Sequence, residues 1–397
     1  MQHTWRPTLR KNIEERYIQN PLAEWYNFSI TTSGLLNITI ISDRFAHVPR
    51  TQRDEQIREL LHESNAPTET GFLSLHTLRE AATIALSKPL AKQESLIDNW
   101  YDLAREAMNP SEYPQAQQRK PRIPRTVTFY PFKGGAGCTT ALMHVAWLLA
   151  LRGRKVVAVD LDLEAPGLSA LPNLTSIPEY GIVDYFYERS FFPRGVKPDT
   201  LIGDIFGEVR IPNALGRLFI VPVGSLNLDY ITKIDDLRAL TVTEQGEDLW
   251  SVFFREITEQ LQPDIILVDS RTGISEWGAF SLLRAADQAI VFLQPDVQNK
   301  RGVDLLLQAL GHRLSLQLVF SPVPSGDTGE ERVSEYWQAL QSHLQETQEI
   351  EAPLDMAEPI VVPYHTELAL ARSYPVLSLL RNYLPIADVI DKGIARR

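Results

Sequence analysis

The chain has 397 residues, 44% of them hydrophobic, which is enough for a sizeable core and more readily two domains than one. A single cysteine excludes an internal disulfide or a cysteine-based zinc site, no apolar run approaches the ~18–20 residues of a membrane span, and MQHTWRPTLRKN lacks a signal-peptide core, so a cytoplasmic chain without membrane association is expected. The net charge of −11 is uneven: residues 126–397 carry 35 acidic against 23 basic side chains and residues 1–125 carry 15 against 16, which disfavours non-specific nucleic-acid binding.

In chain order, FSITTSGLLNITIISDRF alternates as strand, turn and strand around Ser33-Gly34. QRDEQIRELLHE then switches to helical spacing with Ile57, Leu60 and Leu61 on one face. LSLHT is a further short strand, and LREAATIALSKP and SLIDNWYDLAREAM are helical, giving a small α+β domain over residues 1–108. Next, NPSEYPQAQQRKPRIPR holds four prolines and no apolar periodicity, a linker over 109–125.

Residues 126–397 alternate strand and helix: TVTFYPF, ALMHVAWLLALRG, KVVAVDLD, LFIVPV, LWSVFFREITEQL, DIILVDS, QAIVFLQP, LQLVFSPV and PIVVPY. Continuous apolar strands point to a sheet buried on both faces, so the fold class expected is α/β, a doubly wound, mostly parallel sheet. Ligands of such sheets sit at the carboxyl ends of the strands.

That is where the informative residues fall. TVTFYPF runs into Lys133, Gly134, Gly135, Ala136, Gly137, Cys138, Thr139 and Thr140 and then a helix. Glycines let backbone N–H groups turn inward around phosphate oxygens, and the helix N-terminus adds partial positive charge. Thr139 is placed to offer its hydroxyl to Mg²⁺, while Asp160 and Asp162 close one strand in VVAVDLDLEAPGL and Asp269 closes another in PDIILVDSRTG. Carboxylates there suit a metal's water shell and an attacking water.

These motifs resemble the deviant Walker A group of P-loop ATPases that includes ParA and MinD. Its loop pattern, KGGxGK followed by two Ser or Thr, maps without gaps onto Lys133 to Thr140, and the similarity extends to IVVPYHTELALA, covering most of residues 126–380. The resemblance implies a P-loop NTPase core binding ATP with Mg²⁺ and dimerising when ATP is bound. It implies that Lys133 reaches the partner's phosphates, that residues 133–140 and Pro363 surround the nucleotide, and that Thr139, Asp160 and Asp269 serve the metal. Asp162 then orients the attacking water. A sub-group with KGGVGR, DLDLEAPGL and DSRTG is more similar still and implies a bacterial regulatory NTPase in signalling or defence. Residues 25–85 resemble the BolA-like domain, with Gly71 where that family carries a histidine, so the domain implies a protein partner without a metal-ligand role.

The departure is Cys138, standing where the loop lysine is usual. A neutral thiol supplies no charge to the β/γ-phosphates, which lowers hydrolysis by about 10²–10³ if nothing compensates. Lys133 and Arg271 are the candidate replacements, and Arg271 reads equally as a salt-bridged residue beside the site. Cys138 itself reads as a tolerated substitution or, at a helix N-terminus, as a redox-sensitive thiol. The function expected is a nucleotide-gated dimerising switch with slow ATP hydrolysis. The alternatives are a non-hydrolysing scaffold and a ParA-like DNA-partition protein, the latter disfavoured by the acidic core and the short basic KGIARR.

Overall fold

The computed structural model describes residues 5–21, 23–30, 36–84, 99–101, 103–104, 121–168, 178–191, 200–237, 248–310, 313–347, 357–371 and 374–394. It divides into two compact units, Met1–Glu94 and Ser95–Arg397. The turn at Ser33-Gly34 and the proline-rich stretch as far as residue 120 lie outside the described residues.

In the first unit, β1 (Trp25–Ile30) pairs antiparallel with β2 (Leu36–Ile41), which pairs parallel with β3 (Thr70–His76). Leu36, Ile38 and Ile40 alternate inward and meet Ile57, Leu60 and Leu61 of the helix Arg50–Glu63. An N-terminal helix, Trp5–Tyr17, adds Leu9 and Ile13 to the same core. Arg53 ties the helix to the short helix after β3, Leu78–Thr83, by a two-pronged ion pair with Glu80, whose carboxyl is thereby lowered to about 2.

The second unit is built on an eight-stranded sheet. Its strands are β4 (Arg125–Pro131), β5 (Lys155–Leu161), β6 (Gly207–Val209), β7 (Arg217–Val221), β8 (Ile265–Ser270), β9 (Gln288–Leu293), β10 (Ser315–Val323) and β11 (Ile360–Pro363). They lie in the order β11-β10-β9-β4-β8-β5-β7-β6, parallel except for the edge strand β6, which runs antiparallel to β7. After β8 the chain crosses to the far side of β4, so the end of β4 faces the crevice at which such sheets bind ligands. This is a doubly wound, mostly parallel α/β architecture.

Strand alternation places Val127, Phe129, Val156, Ala158, Ile265 and Leu267 against the helices Cys138–Leu151 and Leu384–Lys392. The intervening residues, among them Val157, Val159, Ile266 and Val268, face Ile182–Phe191 and Leu249–Leu261 on the other side. Both faces are covered, which is why the strands read as unbroken apolar runs. The sequence reading passes over β6, whose three residues are too few to show a period. No helix among the described residues is long and apolar enough to cross a membrane.

The start of β4 is fixed by a buried carboxylate: Asp287 accepts from the Arg122 Nε–H at 3.0 Å and from the Thr126 N–H at 2.8 Å. Removing it leaves both donors without their acceptor. Asp287→Ala is expected to lower unfolding free energy by about 3 kcal/mol, and Asp287→Asn by less, in denaturant titrations.

Candidate functional site

β4 ends at Pro131, and the loop that follows is pinned at both ends. The Phe132 ring packs where a Cβ on residue 302 would stand 1.8 Å from its Cζ, so Gly302 admits the ring against the helix Val297–Leu310. At the far end Gly137, with φ of 73°, turns the chain into Cys138–Leu151, a helix buried almost throughout. Gly135 is also left-handed, with φ of 82°, and Cβ atoms added to Gly134 or Gly135 would meet nothing within 4 Å. The rim of the loop is therefore open, which leaves its backbone N–H groups able to approach an anion.

Asp160 and Asp269 are opposite partners in the register of β5 and β8, and both are buried. Their surroundings differ. Asp160 accepts three backbone N–H groups: Asp162 at 3.1 Å on one oxygen, Gly167 and Leu168 at 3.0 Å on the other. These bonds curl residues 162–168 back over the glycine loop, so closely that a Cβ on Gly167 would stand 2.7 Å from Thr139 Cγ2. Asp269 accepts no well-formed hydrogen bond on either oxygen, although the Thr139 hydroxyl and Cys138 thiol lie beside it.

Burial raises both carboxyls, Asp160 to about 7 with added repulsion from Asp162, and Asp269 well above its usual range with added repulsion from Asp160 and Asp162. Burial also raises Asp162, against the pull of Arg271. The Cys138 thiol is pushed up by burial and then by the Asp269 and Asp162 charges. That outcome removes the expectation of a redox-sensitive thiol: desolvation and two acids outweigh the helix N-terminus, and the thiol stays protonated.

The two Asp269 oxygens, which take no well-formed hydrogen bond, with the Thr139 hydroxyl adjacent, suit a hard divalent cation. Among the described residues no three His, Cys, Asp or Glu side chains converge on a metal position. Mg²⁺ fits such a partial set because it keeps water and phosphate oxygens in its shell.

The candidate cations are placed differently from one another. Lys133 is at the exposed rim, its Nζ 4.0 Å from Asp296. Arg271 is held inward, with Nη1 donating to Asp162 Oδ1 at 3.2 Å and Nη2 2.8 Å from Glu164 Oε2. Arg271 is ion-paired in this structure, and Glu164, unremarked in the sequence although it lies within DLDLEAPGL, is its second partner. Thr140 contributes its carbonyl to the buried His144, whose other ring nitrogen accepts from the Val376 N–H at 3.0 Å. Burial keeps His144 neutral, and it stacks on Tyr383 at 4.3 Å. Pro363 closes β11 in register with Val323 of β10, while Ser321, nearer along β10, approaches Gly137.

The loop after β8 is tethered too. Tyr130 donates its hydroxyl to the Gly273 carbonyl at 2.7 Å, and Trp100 donates its indole N–H to the Ser275 carbonyl at 2.8 Å.

No family model matches the chain. Among curated proteins it is 30% identical over 195 residues to a protein of Rhizobium rhizogenes named as a replication protein A, covering 46% of this chain and 43% of that one. It is 29% identical to the septum site-determining protein MinD of Buchnera aphidicola, covering 44% and 54%, and 24% identical to that of Escherichia coli K12, covering 51% and 62%. The chain thus spans about half the length of the curated relatives it matches. Among solved structures, the cell division ATPase MinD of Pyrococcus furiosus is 18% identical with a TM-score of 0.47, covering 68% of this chain and 98% of that one.

A carboxyl raised on folding favours the folded state at low pH, and that contribution is lost as pH rises from the unfolded value near 3.8 to about 7 for Asp160. Metal binding needs the ionised forms. The gain in melting temperature on adding Mg²⁺ with ADP is therefore expected to grow from about pH 6 to about pH 8, and Asp269→Asn to flatten that dependence.

Proposed function

We propose that the chain is a ParA/MinD-type nucleotide switch that binds ATP with Mg²⁺, pairs with a second copy and hydrolyses slowly. The observation that carries this is the open glycine loop at the N-terminus of a buried helix, beside the Asp269 carboxylate, which takes no well-formed hydrogen bond, at the end of the neighbouring strand. The backbone of residues 134–139 holds the phosphates, with Thr139, Asp269 and Asp160 about the metal. Mg²⁺ supplies charge neutralisation at the β- and γ-phosphates. Asp162, on the loop curled over the site, orients the water, and Lys133 at the rim is placed to act on a second copy's nucleotide. Pro363 borders the base. The N-terminal unit, BolA-like in its order of elements, takes the protein partner through which the state is read, in a cytoplasmic regulatory role of signalling or defence.

The protonated, buried Cys138 favours one further reading, a scaffold that binds ATP without turnover. Calorimetry and mass measurement in ADP, ATP and a non-hydrolysable analogue separate the two. Dimerisation with ATP and the analogue together with measurable turnover supports the switch, dimerisation without turnover the scaffold, and no heat in any of the three sinks both. Cys138→Lys, which restores the loop charge, is expected to raise kcat by about 10²-fold with a smaller change in KM.

A further inference from the structure

Resting on the nucleotide-binding proposal, we infer that Glu164 is a positioning residue that holds Arg271 away from the phosphate site and makes its release conditional on a γ-phosphate. The register of β5 and β8 pairs Leu161 with Ser270, so the residues just beyond, Asp162 and Arg271, emerge side by side at the mouth of the crevice. There one guanidinium faces two carboxylates, Asp162 at 3.2 Å and Glu164 at 2.8 Å. Both contacts use its terminal nitrogens, the same prongs that would grip phosphate oxygens.

The two acids are not equivalent. The Asp162 side chain is 13% exposed and also accepts from the Ala165 N–H at 3.3 Å, so it is fixed by its loop. The Glu164 side chain is 52% exposed and borders a cleft of about 300 Å³ lined by Leu163, Ile234, Ser275, Glu276 and Trp277. It has room to swing aside from its ion pair with Arg271. A γ-phosphate is the stronger competitor for the guanidinium because it offers several charged oxygens in an enclosed site, whereas Glu164 is solvated. ADP lacks those oxygens and leaves the latch closed.

With Cys138 supplying no charge, the cation nearest the catalytic carboxylate is on a loop that an acid restrains. Glu164 therefore sets how strongly the protein distinguishes ATP from ADP.

The test is calorimetric affinity for ADP and for a non-hydrolysable ATP analogue, both with Mg²⁺, on the full chain. Glu164→Gln is expected to tighten the analogue about tenfold and to move ADP by less than about twofold. Arg271→Ala should abolish that gain in the double variant, and Glu164→Asp, which keeps the charge, should return analogue affinity toward the parent value. Equal shifts for both ligands, weaker analogue binding, or a gain that survives Arg271→Ala would overturn the latch while leaving nucleotide binding intact. No binding of either ligand to the parent would overturn the nucleotide proposal itself, and the latch with it. Glu164 caps no helix and is half exposed, so folding is not at issue; equal melting temperatures confirm it.

Discussion

Two carboxylates buried opposite one another, Asp160 on β5 and Asp269 on β8, are the constraint from which the site follows. Burying one acid is unfavourable unless its oxygens are bonded, and burying two as neighbours adds repulsion. The chain answers for Asp160 with three backbone N–H groups from the loop it organises. For Asp269 it provides no well-formed bond. The proposal places the cation at Asp269, while Asp160 shapes the loop that carries Asp162.

Cysteine at position 138 fits this arrangement in a way that lysine would change. The side chain is buried beside Asp269, and its thiol remains neutral because both burial and the adjacent acids oppose ionisation. A lysine would bring a permanent charge to that acid and settle the electrostatics before any ligand arrived. Without it, the raised Asp160 and Asp269 carboxyls hold protons that a binding cation would displace.

Much of this is legible in the sequence because each element ends where its chemistry begins. The glycine loop follows one apolar run, and Asp160 and Asp269 close two others, so strand ends and candidate ligands are found together. The core strands are equally plain, being apolar on both faces. The first helix was within reach: Trp5, Leu9, Ile13 and Tyr17 recur every fourth residue, diluted by charged neighbours. The Glu164 to Arg271 pair was not. It links residues more than a hundred positions apart, and depends on the register of β5 with β8, which composition and period do not encode. The same holds for His144, whose apolar surroundings look like core until its two ring nitrogens are found bonded in opposite directions.

Where a positive charge is mounted decides what it can report. On the helix after a phosphate loop it is fixed by the rigid helix and meets any nucleotide alike. On Arg271 it belongs to the segment after β8, tied to β4 through Tyr130 and Gly273 and to residue 100 through the Trp100 bond to Ser275. In the proposed latch Arg271 moves on the segment that carries both tethers, one of which reaches Trp100 near the start of its compact unit. On the proposed reading, a chain that gives up the loop lysine exchanges a charge held on a rigid helix for one whose delivery depends on the segment after β8.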